Sequence, residues 1–378
     1  MKLSERAYKP GDEAGINRLY KLITGLDRSV SEYRWEWVDT WAGQGGIWLL
    51  FDNDRKSDDR LIAQYSLIPT PMSFLGKAYM AGKTENCMSH PDYRGKGIYY
   101  PHEKKYFEEA QKRFDVFFTT TGDVAKGAVG AVRRKLGYEA FDSWMRYVIY
   151  TDATSIKNGI LKKISQKNKE KSALRNSIAS VLSLALVGVC KLFVSGTDNK
   201  NFRFYDECSV PLSEIEELWE SNKNSYGITV ARTKEYLAWR INSNPYHSYR
   251  SLAYYRDEKL IGYIIFYQHR NGFIRIEDIF SEKCDRTLLI KMLKMLTRHA
   301  FEVKAKGVEC NTLYGNRILR GALRRSVFMH VSFSLRDLFY PHKRQKPFHV
   351  FIPGYVEFQN DSYNPKNWYI TDLVKEGR

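Results

Sequence analysis

The sequence predicts a mixed α/β chain built as two similar halves, each with a central sheet flanked by helices. Three observations predict it. From Glu85 to Phe141 a strand-like run passes through a proline turn and two glycines into a long helical pattern, then a buried strand and a second helix. A similar order of patterns recurs after residue 201. Finally, 378 residues with 43% hydrophobic and 14% aromatic content exceed one compact core and suit two domains.

Taken in order, Arg6-Ala7-Tyr8 reads as a short strand, and Pro10-Gly11-Asp12 turns into a helix through Ile16, Leu19, Tyr20 and Ile23. Ser31 to Trp41 is a second helical piece carrying Trp35, Trp37 and Trp41. Ile47 to Phe51 and Leu61 to Ile68 are strands joined by the polar loop 53–59, and Pro69 and Pro71 close the second of them. Lys77 to Ser89 then crosses the sheet and reaches Arg94-Gly95-Lys96-Gly97-Ile98. A helix from about Tyr99 to Arg113 follows, with Tyr99, Tyr106 and Phe107 facing in and Glu103, Lys104, Glu108, Lys112 and Arg113 solvated. Val116 to Thr120 is a buried strand, and a second helix ends at Lys135-Leu136-Gly137-Tyr138.

Strand, glycine loop and helix N-terminus in succession make an anion site. Glycines admit close backbone approach, and first-turn N–H groups with the helix dipole favour a phosphate. Arg94 and Lys96 add charge beside it. No lysine-serine/threonine pair follows the glycines, which excludes a Walker loop. The preceding strand is not the first of its domain, as a dinucleotide fold would require.

Pro91-x-Tyr93-Arg94-Gly95-Lys96-Gly97-Ile98, followed by a helix, a strand and Lys135-Leu136-Gly137-Tyr138, resembles the GNAT acyl-CoA N-acyltransferases. Their signature is Gln/Arg-x-x-Gly-x-Gly/Ala. Arg94 and Gly97 fall on its first two fixed positions, and Tyr99 stands where Gly or Ala is usual. The resemblance implies a mostly antiparallel sheet and an acyl-CoA donor, with acetyl-CoA the expected one and no metal. It further implies that Arg94, Gly95, Lys96, Gly97, Ile98 and Tyr99 hold the CoA pyrophosphate. Backbone groups of Cys87, Met88 and Ser89 would take the pantetheine and the oxyanion.

Composition bounds the partners. A net charge of +17 suggests an acidic one: CoA phosphates, a sugar nucleotide, an anionic membrane or nucleic acid. No stacking platform or recognition motif supports nucleic acid, so none is expected. The start shows no apolar segment of signal type. The five cysteines (87, 190, 208, 284, 310) lie far apart without a Cys-x-x-Cys pair, which argues for a reducing cytoplasm and against zinc.

The expected division is 1–150 for the CoA-binding domain, 151–200 for a basic and apolar linker, and 201–378 for a degenerate copy. Lys157, Lys162, Lys163, Lys167, Lys169, Lys171 and Arg175 precede the apolar run Ile178 to Val194. Seventeen residues fall short of the roughly 20 that span a bilayer. A helix packed between domains is the favoured reading, and peripheral contact with an anionic membrane the alternative.

The second half echoes the first in order: Trp35-Glu36-Trp37 with Trp239-Arg240-Ile241, and Arg60-Leu61-Ile62-Ala63 with Lys259-Leu260-Ile261-Gly262. Leu288 to Val303, Val308 to Thr312 and Asn316 to Ser326 then match the helix, strand and helix after the glycine loop. The loop itself becomes Ser281-Glu282-Lys283-Cys284-Asp285-Arg286, without glycine and with two carboxylates that repel phosphate. The pattern is similar to bacterial tandem GNAT proteins with one working half.

For the chemistry, Glu85 is the first candidate base for the acceptor amine, and His90 a candidate proton shuttle. The family's usual tyrosine acid falls on Arg133, which can only stabilise a thiolate by charge. Thr119, Thr120 and Thr121 offer hydroxyls near the CoA arm. Asp278 is the candidate acceptor contact, with a salt bridge to Arg275 or Arg240 the competing role. Together these imply an N-acyltransferase acting on an amine of a small molecule or amino sugar. The alternatives are a transferase for a lipid-linked surface-polysaccharide sugar at the membrane face, and a non-catalytic CoA-binding protein.

Overall fold

The computed structural model of the chain describes residues 1–56, 59–119, 128–165, 173–207, 209–331, 346–354, 356 and 359–375. The first half runs β1 (Leu3–Ala7), α1 (Glu13–Thr24), α2 (Val30–Trp37), β2 (Gly46–Asp52), β3 (Leu61–Phe74), β4 (Lys77–Thr84), β5 (Met88–Ser89), α3 (Tyr99–Ala110), β6 (Val116–Thr119), α4 (Ala128–Lys135) and β7 (Glu139–Tyr150). A helical pair follows, α5 (Ala153–Ser165) and α6 (Ala173–Val194). The second half runs β8 (Phe202–Tyr205), α7 (Leu212–Asn222), β9 (Ile228–Val230), α8 (Lys234–Leu237), β10 (Arg250–Arg256), β11 (Lys259–Gln268), β12 (Phe273–Ser281), α9 (Arg286–Glu302), β13 (Gly307–Leu313), α10 (Arg317–Arg325), β14 (Met329–His330), β15 (Lys346–Phe351), α11 (Gln359–Ser362) and β16 (Trp368–Tyr369).

Local chemistry sets several boundaries. Helix α2 begins two residues after Arg28 because Ser29 and Glu32 form a capping box, the serine oxygen accepting from the Glu32 N–H at 3.1 Å. Strand β3 does not stop at the prolines, as expected from the sequence, but continues to Phe74. A strand residue's N and O point the same way. The carbonyls of Pro69 and Pro71 accept from Trp41 Nε1 and Ala231 N, away from β4. The missing proline donors therefore cost the β3–β4 ladder nothing.

One sheet runs through the whole molecule, in the order β1-β2-β3-β4-β6-β15-β7-β13-β12-β11-β10-β8. Neighbours are mostly antiparallel. Along this order each half has a parallel pair at the equivalent place, β4 with β6 and β12 with β13, and off it β9 and β16 of the second half also pair in parallel. The last strands are exchanged. β15, from the second half, lies between β6 and β7, while β7, from the first, pairs with β13. Neither 1–150 nor 201–378 therefore closes its own sheet.

The core follows the same logic. One apolar cluster reaches from Tyr8 to Val374 and unites both halves. A second, of Trp48, Tyr65, Tyr106, Phe107, Phe117 and Tyr138, seats α3 and α4 on the first half's sheet, with Phe351 of β15 packed against it.

Helix α6 differs from the expected helix packed between domains. It buries Ala179, Ser183, Val187 and Cys190 against its surroundings, where α9 and β7 are among its neighbours. Its larger aliphatic side chains remain largely in solvent.

Candidate active site

The glycine loop folds as a short 3-10 turn, Pro91–Tyr93, and then two left-handed glycines, Gly95 at φ 74° and Gly97 at φ 73°. Tyr93 is pinned to β2 through a 2.5 Å bond from its hydroxyl to Asp52. A Cβ built on either glycine meets nothing within 4 Å, so the backbone faces open space. Helix α3 starts there with Ile98 at its N-cap and no side-chain cap, which leaves its first N–H groups facing outward.

Before the loop the sheet splays. Strands β4 and β6 pair only from Ala81–Val116 to Lys83–Phe118. Asn86 then turns at φ 47°, and β5 resumes alongside β3. The other edge of β5 has no strand partner among the described residues; there the Ser89 carbonyl accepts from Arg94 Nε at 3.3 Å. These features meet in a cavity of about 490 Å³ lined by Cys87, Met88, Ser89, Tyr93, Arg94, Gly95, Gly97, Ile98, Tyr99, Tyr100, Glu103 and Arg133, with Ile23 and Val132. Of the expected cofactor residues, Lys96 alone is outside this lining; its ammonium lies over the Tyr93 ring.

The deep wall holds a buried ion pair. Arg133 bonds Glu103, and its other terminal nitrogen donates to Cys87 Sγ at 3.2 Å. Both charged side chains are essentially inaccessible, which corrects the expectation that Glu103 is solvated. Glu103 stands one turn after Tyr99 and one before Phe107, on the apolar face, and Arg133 offsets its burial. That spacing was the signal in the sequence. Arg133 Nε and Glu103 Oε2 have no hydrogen-bond partner among the described residues, and both atoms are buried. An acyl-CoA fits this set: open amides for the pyrophosphate, and a strand edge without a strand partner for the arm. Nearby, the Tyr138 hydroxyl shares a 2.9 Å bond with Thr84, and burial pushes its pKa up to about 12.

The remaining candidates separate. Glu85 is buried beside Lys83 at 3.1 Å, outside the lining of the cofactor cavity. Lys83 borders a small void next to Trp35, Glu36, Trp239 and Arg240 at the junction of the halves. His90 is buried and takes part in the turn, accepting from Asp92 N at 3.2 Å. Burial, then Arg55, lowers its pKa. It does not line the cavity, although Ser89 and Tyr93 on either side of it do. Thr119 is buried on β6; Thr120 and Thr121 lie outside the described residues.

Asp278 is fully buried. It receives both forks of Arg232 at 2.9 and 3.0 Å, the Tyr263 hydroxyl at 2.6 Å and Thr371 at 2.8 Å. The partner is Arg232, where the sequence pointed to Arg275 or Arg240, and the saturated carboxylate has nothing left for an acceptor. Glu277 beside it pairs with Arg240.

The second half lacks the open helix end. Asp285 caps α9, its carboxylate accepting from Thr287 N at 2.8 Å and Leu288 N at 3.2 Å. The donors that a phosphate would take are already used.

Sequence reasoning missed His349. This residue arrives on the exchanged strand β15 opposite Thr119, is 1% exposed, and neither ring nitrogen has a partner among the described residues. Burial, with Arg133 and Arg134 near, lowers its pKa to about 4. Nothing local in the sequence joins residues 119 and 349.

A wide groove of about 510 Å³ opens where the halves meet, lined by Ser31, Arg34, Trp35, Asp39, Thr40, Trp41, Trp239 and Ser243.

Comparison with known proteins agrees with this geometry. The family described as "Acetyltransferase (GNAT) domain" matches residues 5–141. No curated protein matches in sequence. Among solved structures, a probable N-acyltransferase from Enterococcus faecalis V583 superposes with TM-score 0.61 at 12% identity, over 93% of this chain and 73% of that one. A GCN5-related N-acetyltransferase from Anabaena variabilis gives 0.58 at 12%, over 93% and 73%. A tandem GNAT protein from the clavulanic acid biosynthesis pathway gives 0.51 at 12%, over 94% and 100%. Residues 5–141 thus match the GNAT acetyltransferase domain family, and the chain as a whole has the fold of a tandem GNAT protein, with a capped helix end and no glycine loop in its second half.

Proposed function

We propose that the chain moves an acetyl or other short acyl group from acetyl-CoA, or a close relative, to the amine of a small molecule, with amino sugars the favoured class. The observation that carries the donor side is convergence: left-handed glycines, an uncapped helix end and the second edge of β5 open on one cavity. In the reaction the amine nitrogen attacks the thioester carbonyl, the C–S bond breaks, and the amine loses a proton. Glu85 is our candidate for taking that proton, from its place just past the end of β4 beside Lys83, which borders the junction void. Backbone groups of Cys87 to Ser89 would orient the thioester, and Arg133 would stabilise the departing thiolate by charge. Amino sugars suit the junction groove, where half-buried Trp41 and the rims of the stacked Trp35 and Trp239 rings offer apolar surface to a sugar, with Asp39 beside them for an ammonium.

The second reading is a CoA-binding protein without catalysis, favoured by Arg133 locked to Glu103 where the family's acid should stand. Release of free thiol from acetyl-CoA, followed with a panel of amino sugars and simple amines, separates the two. Turnover with an amino sugar supports the proposal. Calorimetric CoA binding with no thiol release across the panel favours the second reading, and absence of CoA binding overturns both.

A further inference from the structure

We infer that the outer face of α6 docks this protein on the surface of a bilayer containing acidic phospholipid, independently of the acyl-transfer reading. The inference starts from an inverted helix. At 100° per residue, Ala179, Ser183, Val187 and Cys190 share one face, and that face is buried. The opposite face carries Ile178, Val181, Leu184, Val189 and Leu192, with Val181 67%, Leu184 65% and Leu192 74% exposed. A helix folded only against its own protein does the reverse, burying large aliphatics and exposing small or polar residues. Here the side chains with most to gain from leaving water are those left in it.

The charge of this segment selects the occupant. Between residues 153 and 197 the sequence holds eight lysines and arginines and one acidic residue, Glu170. Lys191 sits exposed at the far end of α6, and Lys294 of α9 lies over the Phe193 ring at 5.8 Å. Two copies of this chain joined in parallel through α6 would set one Lys191 against the other. An anionic lipid surface attracts them, at roughly 1 kcal/mol per basic residue near the membrane. An apolar stripe within a basic segment has the two parts of an interfacial helix.

Asn176–Val194 is long and apolar enough to cross a bilayer, yet 17% of that stretch is buried within the protein. Crossing would strip Ala179, Ser183, Val187 and Cys190 from their packing. Lying in the interface keeps that packing and wets none of the stripe.

The test uses the full chain and vesicles of phosphatidylcholine alone or with about one-quarter phosphatidylglycerol. The expected result is co-flotation with the acidic vesicles, falling about tenfold between roughly 0.05 and 0.3 M salt. It should fall again, by about tenfold or more, in Leu184→Ser/Leu192→Ser, two exposed positions whose replacement leaves the packed face intact. Lys191→Glu should weaken flotation while leaving the melting temperature in place. Three results overturn the inference: no flotation with either vesicle; equal flotation with neutral vesicles that resists salt and yields only to detergent, which means a span; or a concentration-dependent dimer broken by the serine pair without lipid binding, which means a second copy.

Discussion

Trp35 and Trp239 donate to each other's backbone: Trp35 Nε1 to Trp239 O at 3.1 Å, and Trp239 Nε1 to Trp35 O at 2.9 Å, with the rings stacked 5.1 Å apart. A reciprocal bond of this kind arises when equivalent residues of two related units meet across a local twofold axis. The echo of Trp35-Glu36 in Trp239-Arg240 is thus a contact as well as a repeat. It also places one indole from each half in the wall of the junction groove.

Gly97→Val should weaken CoA binding more than tenfold, beyond about 1.4 kcal/mol. The reason is conformational: at φ 73° a β-branched residue is strained, and its side chain enters the space the ligand's phosphates would use. Calorimetry on the folded variant checks this. The same titration on the parent should give one CoA per chain, because Asp285 occupies the corresponding helix end in the second half. Two sites per chain would contradict the division of labour.

Glu85→Gln should lower turnover by about 10²- to 10⁴-fold, the usual effect of losing a general base, with CoA affinity unchanged. Steady-state rates across pH, alongside the CoA titration, are the measurement. Rates within a few-fold of the parent at every pH would move the base elsewhere.

Arg133→Met leaves Glu103 charged and alone in a dry wall, and should cost about 3–5 kcal/mol of stability. Arg133→Met/Glu103→Met should recover most of that loss in denaturant unfolding, since an apolar pair of similar size replaces the ion pair. If the double variant is no more stable than the single one, the pair is not the reason for the loss.

His349 should make the fold acid-sensitive. Its pKa is about 4 when folded and near 6.5 in the open chain, so the unfolded state binds more protons between those values. Its contribution is present above about pH 6.5 and is lost as pH falls towards 4. His349→Phe should flatten the stability curve in that window, read from unfolding midpoints at pH 4.5 and 7. An unchanged slope would mean that other groups set it.

Legibility in the sequence followed the range of the interactions. Loop and helix were readable because two glycines and a 3.6-residue period act within a dozen residues. The duplicated halves were readable from Trp35 and Trp239. Glu103 was misread because its charge outweighed its position on the apolar face, and its partner lies 30 residues away. Asp278 was placed at the right depth but given the wrong partner, since Arg232 meets it only through the fold. For α6, the run of apolar residues was plain, but which of them would face out depended on what lay beneath.

The exchanged strand also sets a schedule. The gap between β6 and β7 is filled by residues 346–351, some 230 positions after β6 leaves the ribosome. Half of the chemistry is therefore encoded early and finished late: the cofactor-binding sheet cannot complete during its own synthesis and must wait, open, for nearly the entire chain. A nascent chain halted before residue 346 should present an unpaired edge at β6, where chaperones or neighbouring chains compete for the place that β15 will take.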